Sequence, residues 1–127
     1  MQKDIFNWKA VKRMKALGVD EAAEEAYKRE KEAGCVRFGR VDIVTLTENW
    51  LFYDSGLSTA LFPLKEIEFF KKDYTAGRGY VSFFVRLMFK DGGKYNLPCD
   101  FEQLDELAAA LAERCPQANT RPWGTYR

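Results

Sequence analysis

The 127-residue sequence predicts an α+β fold, in which a helical hairpin precedes a set of short antiparallel strands and an amphipathic helix follows them. Three observations support this prediction. Apolar residues recur at helical spacing before Gly34 and again after Cys99, while the stretch between them consists of short Val, Ile, Phe and Tyr runs. Turn residues divide that middle stretch into pieces of strand length. Ten Phe, six Tyr and three Trp are enough aromatic residues for the core of one folded domain.

The N-terminal segment is predicted to form two helices. Apolar residues at three-residue steps indicate the first helix: Ile5, Trp8, Val11, Met14 and Leu17. This helix covers residues 3–17, and Gly18 is a suitable stop for it. Asp20 is a suitable N-cap for a second helix over residues 20–33, which Gly34 ends. Together they form a helical hairpin.

Seven strands are predicted after the hairpin, near residues 35–40, 42–47, 50–54, 58–62, 67–72, 80–90 and 93–98. The sequences Asp54-Ser55-Gly56 and Asp91-Gly92-Gly93 are typical of tight turns between strands. The segment from Asp73 to Gly79 is predicted as the longest loop.

The strand from Tyr80 to Lys90 has two different faces. One face is apolar throughout and is predicted to point into the core: Val81, Phe83, Val85, Leu87 and Phe89. Phe84 and Met88 then point outward, and the same alternation on other strands sends further aromatic side chains outward. Because such groups do not stay in water together, we expect the hairpin, a second copy or a partner to cover them. The candidate interface residues are Trp8, Trp50, Phe52, Phe70, Phe84 and Met88.

A helical pattern returns at the C-terminal end. Asp100 with Gln103 matches a capping box, and Pro116 is a suitable stop. The apolar stripe of this amphipathic helix is Phe101, Leu104, Leu107, Leu111 and Cys115.

One short pattern runs along the middle strands: Leu46-Thr47, Leu51-x-Tyr53, Ser55-Gly56, Pro63-Leu64 and Ile67. It resembles the pattern of bacterial pleckstrin-homology (PH) domains, in which a strand ending in Leu-Thr precedes a Leu-x-Tyr strand, a Ser-Gly turn and a Pro-Leu-x-x-Ile entry. The resemblance covers roughly residues 36–115, and seven strands followed by one helix is the element order of that fold. It implies a seven-stranded antiparallel PH-like barrel over residues 35–127, with residues 1–34 as a helical extension packed on it. It also implies a binding or scaffolding module rather than an enzyme.

Composition excludes many chemistries. The sequence has no histidine, so His-dependent catalytic triads and His-based zinc sites are absent from it. Three widely spaced cysteines form no Cys-x-x-Cys pair and are predicted to be free thiols of a cytoplasmic protein. The formal charge of +1 gives no overall basic field for nucleic acid. We therefore predict no catalytic residue, no cofactor and no metal site.

Basic residues give a second hypothesis for function. Candidate anion-binding residues are Arg37 and Arg40 on the first strand, with Lys71, Lys72 and Arg78 near the predicted long loop. The first helix is also basic and amphipathic, which is typical of helices that lie on anionic membranes. The leading prediction is a non-catalytic module that acts through protein–protein contacts, with a protein partner or self-association. The alternative is peripheral membrane or anionic-headgroup binding through the basic helix and the basic loop patch.

Overall fold

A computed structural model describes residues 7–29, 35–39 and 42–118 of the chain. Its elements, in chain order, are α1 (Trp8–Leu17), α2 (Asp20–Lys28), β1 (Val36–Phe38), β2 (Ile43–Leu46), β3 (Trp50–Asp54), β4 (Thr59–Pro63), a 3₁₀ turn (Leu64–Glu66), β5 (Ile67–Gly77), β6 (Tyr80–Phe89), β7 (Lys94–Pro98) and α3 (Phe101–Arg114). They belong to two compact units, Met1–Leu64 and Lys65–Arg127. The α+β class is therefore confirmed.

The helical hairpin of the first unit forms much as its sequence predicts. Helix α1 begins at Trp8, where the Asn7 side chain accepts a hydrogen bond from the Lys9 amide at 2.9 Å and caps the helix. Residues 3–6 of the predicted helix lie outside the described residues. Gly18 ends α1 in the left-handed region, at φ 72°. Helix α2 begins at Asp20, but its N-cap is Val19 and makes no side-chain capping bond, so the predicted Asp20 cap is wrong. Residues 30–33 and Gly34 lie outside the described residues.

The sheet of the first unit is antiparallel, with strand order β1-β2-β3-β4. Phe52 on β3 and Leu61 on β4 face each other across the ladder and are completely buried. They pack with Met14 and other side chains of the hairpin, and Trp50 lies against the same cluster. The hairpin therefore covers outward apolar groups of β3 and β4, as expected.

Within the predicted apolar stripe of α1, Val11 and Met14 make this contact and Trp8 does not. Met14 has no exposed surface, whereas Trp8 is 62% exposed. Trp8 occupies the first position of α1, and it is the later positions of this helix that belong to the buried cluster.

The sheet of the second unit has strand order β5-β6-β7, with both neighbouring pairs antiparallel. The predicted loop from Asp73 to Gly79 is wrong: β5 continues to Gly77 and only Arg78-Gly79 forms the turn. Tyr74-Thr75 favours an extended strand, and Gly79, at φ 76°, supplies the positive φ that the short turn needs.

Helix α3 runs from Phe101 to Arg114, and its contacts with the sheet involve β5 and β6. Leu107 and Leu111 are fully buried, as the predicted stripe requires. Phe101 is 68% exposed and does not belong to that buried stripe, because it is the first residue of the helix. Asp100 is the N-cap as predicted, but it makes no side-chain capping bond, so the capping box does not form.

Within the described residues, the seven strands form two sheets of four and three strands, and a single closed barrel is not confirmed.

Candidate functional site

The predicted anion-binding residues belong to both units of the chain. Arg37 is exposed on β1, and Arg40 lies outside the described residues. Lys71 and Lys72 are neighbours on β5 and therefore point to opposite faces of the sheet. Arg78 lies in the β5–β6 turn and is exposed.

The two lysines of β5 have different environments. On the face toward α3, the Lys72 ammonium lies 2.7 Å from an Asp105 carboxylate oxygen of that helix. On the other face, the Lys71 ammonium lies 3.7 Å from an Asp73 carboxylate oxygen. Because both partners of the Lys72–Asp105 pair are largely exposed, this pair contributes little to stability.

The face of Lys71 contains a concavity of about 470 Å³. Strand register explains why its residues meet: Phe69 pairs with Met88, Met88 with Lys94, and Lys71 with Arg86. A register irregularity between Ile67 and Phe69 locally interrupts the ladder beside it. The residues that line the concavity are Glu68, Phe69, Lys71, Arg86, Met88, Phe89, Lys90, Gly92 and Lys94.

Arg86 is held in place by several groups around this concavity. Its Nε donates a hydrogen bond to the Asn96 side-chain oxygen at 3.3 Å. Its Nη1 lies 3.6 Å from an Asp73 carboxylate oxygen, so Asp73 is shared with Lys71. The guanidinium carbon also lies 5.4 Å from the centre of the buried Phe84 ring. These contacts reduce the freedom of the arginine before any ligand arrives.

Lys90 and Lys94 stand at the two ends of the tight β6–β7 turn. Its backbone is ordered by a Phe89 amide bond to the Gly93 carbonyl at 2.8 Å, and the Gly93 amide donates to Asp91 Oδ1 at 2.8 Å. Across residues 7–29, 35–39 and 42–118, neither lysine forms an ion pair. Arg86, Lys90 and Lys94 were not predicted as site residues, although Arg86 and Lys90 share the outward face of the predicted strand with Met88.

Three of the six candidate interface residues are buried: Phe52, Phe70 and Phe84. Phe70 and Phe84 are each 5% exposed, so neither is an open surface. Met88 is half-buried in the lining of the basic concavity. Trp50 and Phe52 belong to the hairpin cluster described above, and Trp8 is exposed.

The exposed apolar surface lies instead on the far ends of β5 and β6. Strand β7 pairs with β6 only from Phe84 to Met88, so the residues between Tyr74 and Phe83 form a two-stranded arm that extends past it. Tyr74 is 61% exposed and Val81 is 52% exposed. The Tyr74 and Phe83 rings are 6.3 Å apart, and the Phe83 ring lies 4.9 Å from Phe101. This surface was not predicted from the sequence, because residues 73–79 were expected to form a loop.

Along one edge of the arm, the residues of β6 before Phe83 pair with no other strand of the described residues. The Phe83 carbonyl accepts the Cys99 amide at 3.2 Å, and this is where pairing on that edge stops among the described residues. Since the hydrogen-bonding groups of a strand alternate between its edges, the amide and carbonyl of Val81 point to the same edge as the Phe83 carbonyl. Arg78 is the one charged residue from Tyr74 to Phe83. This segment therefore has few of the charged side chains that usually prevent an edge strand from pairing with another chain.

The thiols are poorly suited to nucleophilic chemistry. Burial raises the pKa of the Cys99 thiol to about 11, with a further contribution from the Asp100 carboxylate. Burial raises the pKa of the Cys115 thiol to about 12, against a small opposing effect of Arg114. Both thiols are therefore protonated near neutral pH. Among the residues that the structure describes, no group of three Cys, Asp or Glu side chains is placed to hold a metal ion.

No protein-family model matches this chain, and no curated protein matches its sequence. In the described part of the chain, every helix is too short or too polar to cross a membrane.

Proposed function

We propose that this chain is a non-catalytic binding module of PH-like fold that acts through protein–protein contacts, and that its partner is a second copy of itself. The open, uncharged edge of the β6 arm is the observation on which this proposal depends. Two copies related by a two-fold axis at Val81 pair their β6 strands antiparallel, which extends the sheet across the copies.

The register of this pairing follows from the arm. With Val81 opposite Val81 of the second copy, each residue amide faces the other residue's carbonyl, and two backbone hydrogen bonds form at the axis. Tyr80 then pairs with Ser82, and the single charge at Arg78 lies three residues from the axis, so like charges do not face each other. The exposed side chains of Val81 from both copies meet on one face, where cross-strand apolar pairs contribute about 0.2–1 kcal/mol each.

Such a short pairing predicts weak association, with a dissociation constant in the micromolar range or above. The test is sedimentation equilibrium of the whole chain over a wide concentration range. Val81→Lys places two ammonium groups opposite each other at the axis, and we expect it to abolish association. Leu57→Lys is the matched control, because Leu57 is 94% exposed in the β3–β4 turn and lies outside the arm.

A charge-swap experiment distinguishes this specific strand pairing from nonspecific association. Val81→Glu also fails to associate by itself, but an equal mixture with Val81→Lys regains a dimer, because opposite charges then face each other. The proposal is refuted if the wild-type chain is monomeric at all concentrations, or if the mixture associates no better than either variant alone.

The PH-like fold remains part of the proposal. The order of the seven antiparallel strands and the helix after them supports it. So does the placement of the resembling pattern, with Leu46 ending β2, Tyr53 on β3 and Ile67 opening β5. A cytoplasmic location goes with the proposal and is supported by the three free cysteines of the described residues.

Peripheral membrane binding through the first helix is the alternative. Exposed Trp8, with the Lys9 ammonium 5.9 Å from its ring, is the observation that favours it. However, the apolar face of α1 is already packed on Phe52 and Leu61, so insertion of that face into lipid would require opening the hairpin cluster. Salt-sensitive sedimentation with anionic vesicles that is lost in Trp8→Ala would favour this alternative.

A further inference from the structure

The basic concavity of the second unit concentrates positive charge. Four cationic side chains line it: Lys71, Arg86, Lys90 and Lys94. Two carboxylates oppose them, Glu68 in the lining and Asp73 behind Lys71 and Arg86, which leaves an excess of two positive charges. The whole chain has a formal charge of only +1, so this excess is a local feature of one sheet face.

The four cationic side chains differ in how strongly neighbouring groups hold them. Arg86 is restrained by Asn96, Asp73 and the Phe84 ring, so it presents its guanidinium in a defined orientation. Lys90 and Lys94 have no ion-pair partner within the described ranges, so a ligand need not displace one from either. Such a combination of one oriented guanidinium and two available ammonium groups is suited to an anion with several acceptor oxygens.

We propose that this concavity binds a phosphate monoester. A phosphate monoester carries close to two negative charges at neutral pH and so matches the charge excess, whereas a carboxylate carries one. The volume of about 470 Å³ is that of a small-molecule site. Met88 is the apolar side chain of the lining that keeps exposed surface, and the organic group of the ester packs against it. Phe69 and Phe89 are almost completely buried.

The first experiment uses phenyl phosphate as the probe and follows backbone amide resonances of the whole chain by NMR. We expect saturable shifts confined to residues 68–71 and 86–94, with a dissociation constant in the millimolar range or below. Phenyl sulfate, which has the same shape and one negative charge, is expected to bind about tenfold more weakly.

Paired variants test the site itself. Lys90→Gln combined with Lys94→Gln is expected to weaken phenyl phosphate binding about tenfold or more. Lys12→Gln combined with Lys15→Gln removes the same charge from exposed positions of α1 and is expected to leave binding unchanged. Resonances outside the concavity report whether each variant keeps its fold.

A second experiment separates the two sources of such a phosphate. The chain is sedimented with phosphatidylcholine vesicles that contain phosphatidic acid. Sedimentation that is lost in the Lys90/Lys94 variant identifies a lipid headgroup as the ligand. Phenyl phosphate binding without sedimentation identifies a soluble ester. The proposal is overturned if phenyl phosphate and phenyl sulfate bind equally, or if the two paired variants respond alike. This inference is independent of the β6 pairing, and Val81→Lys is expected to bind phenyl phosphate as the wild-type chain does.

Discussion

Replacing Met14 with alanine tests whether the helical hairpin is an integral part of the first unit. Met14 has no exposed surface and packs in a cluster with Phe52 and Leu61, which are themselves fully buried. Since the neighbours of Met14 are held by a helix and two paired strands, they cannot easily close over the space that the truncation leaves. We expect the free energy of unfolding to fall by about 3 kcal/mol, within the range of about 2–5 kcal/mol for buried Met-to-Ala changes.

Trp8→Ala is the informative comparison, because it removes a larger side chain from the same helix. Trp8 is 62% exposed, so its truncation removes little buried apolar surface, and alanine is the better helix former. We expect a loss of about 1 kcal/mol or less. If Trp8 rather than Met14 were the buried residue of the α1 stripe, the order of the two losses in free energy of unfolding would be reversed.

The assay is urea denaturation followed by tryptophan fluorescence and by far-ultraviolet circular dichroism. Trp50 packs against the hairpin cluster and remains in both variants, so its emission reports on the first unit. With a typical urea dependence for a small domain, a loss of about 3 kcal/mol lowers the midpoint by about 1–3 M. Equal midpoints for Met14→Ala and the wild-type chain would refute the packing of the hairpin on β3 and β4.

Three further predictions concern other parts of the fold. Leu107→Ala truncates a fully buried side chain of α3 and should lower the free energy of unfolding by about 2–5 kcal/mol. Phe101→Ala, at the exposed start of the helix, should lower it by about 1 kcal/mol or less. Equal losses in urea denaturation would contradict the helix register. Burial raises the pKa of the Cys115 thiol to about 12, so the unfolded chain releases this proton first as the pH rises. The contribution of the protonated Cys115 thiol to stability is therefore complete below about pH 9 and is lost between about pH 9 and pH 12. Urea midpoints measured at about pH 8 and pH 10 should differ less in Cys115→Ala than in the wild-type chain. Gly39 adopts φ 105°, and an added Cβ would lie 2.0 Å from the Asp42 carbonyl oxygen, so Gly39→Ala should cost about 2 kcal/mol or more in the same assay; an unchanged midpoint would show that this backbone conformation is not required.

The positions of most helices and strands could be predicted from the sequence because periodicity is a local property. The stripe of Leu104, Leu107 and Leu111 identifies the buried face of α3 without any knowledge of what it packs against. Alternation from Tyr80 to Lys90 likewise identifies Val85 and Leu87 as core residues of β6. It fails at Val81, which was predicted in the core and is 52% exposed, and at Phe84, which was predicted to point outward and is 5% exposed.

Contacts between elements could not be read from the same patterns. The helical stripe contains both Trp8 and Met14, and only the placement of the hairpin on β3 and β4 decided that Met14 is buried and Trp8 is exposed. The extension of β5 to Gly77 depends on pairing with β6, which compensates for the turn-forming character of the Asp73–Gly79 sequence.

The candidate sites depend even more on tertiary structure. Lys71, Arg86 and Lys94 come from three different strands, and they line one concavity because two ladder registers place them on the same face. Lys72, the immediate neighbour of Lys71, points to the opposite face and pairs with helix α3. The sequence by itself determined which residues are basic and which faces of a strand they occupy. Their convergence was decided by strand register, because pairing joins residues that are distant in the chain and a shift of one residue would send each side chain to the other face.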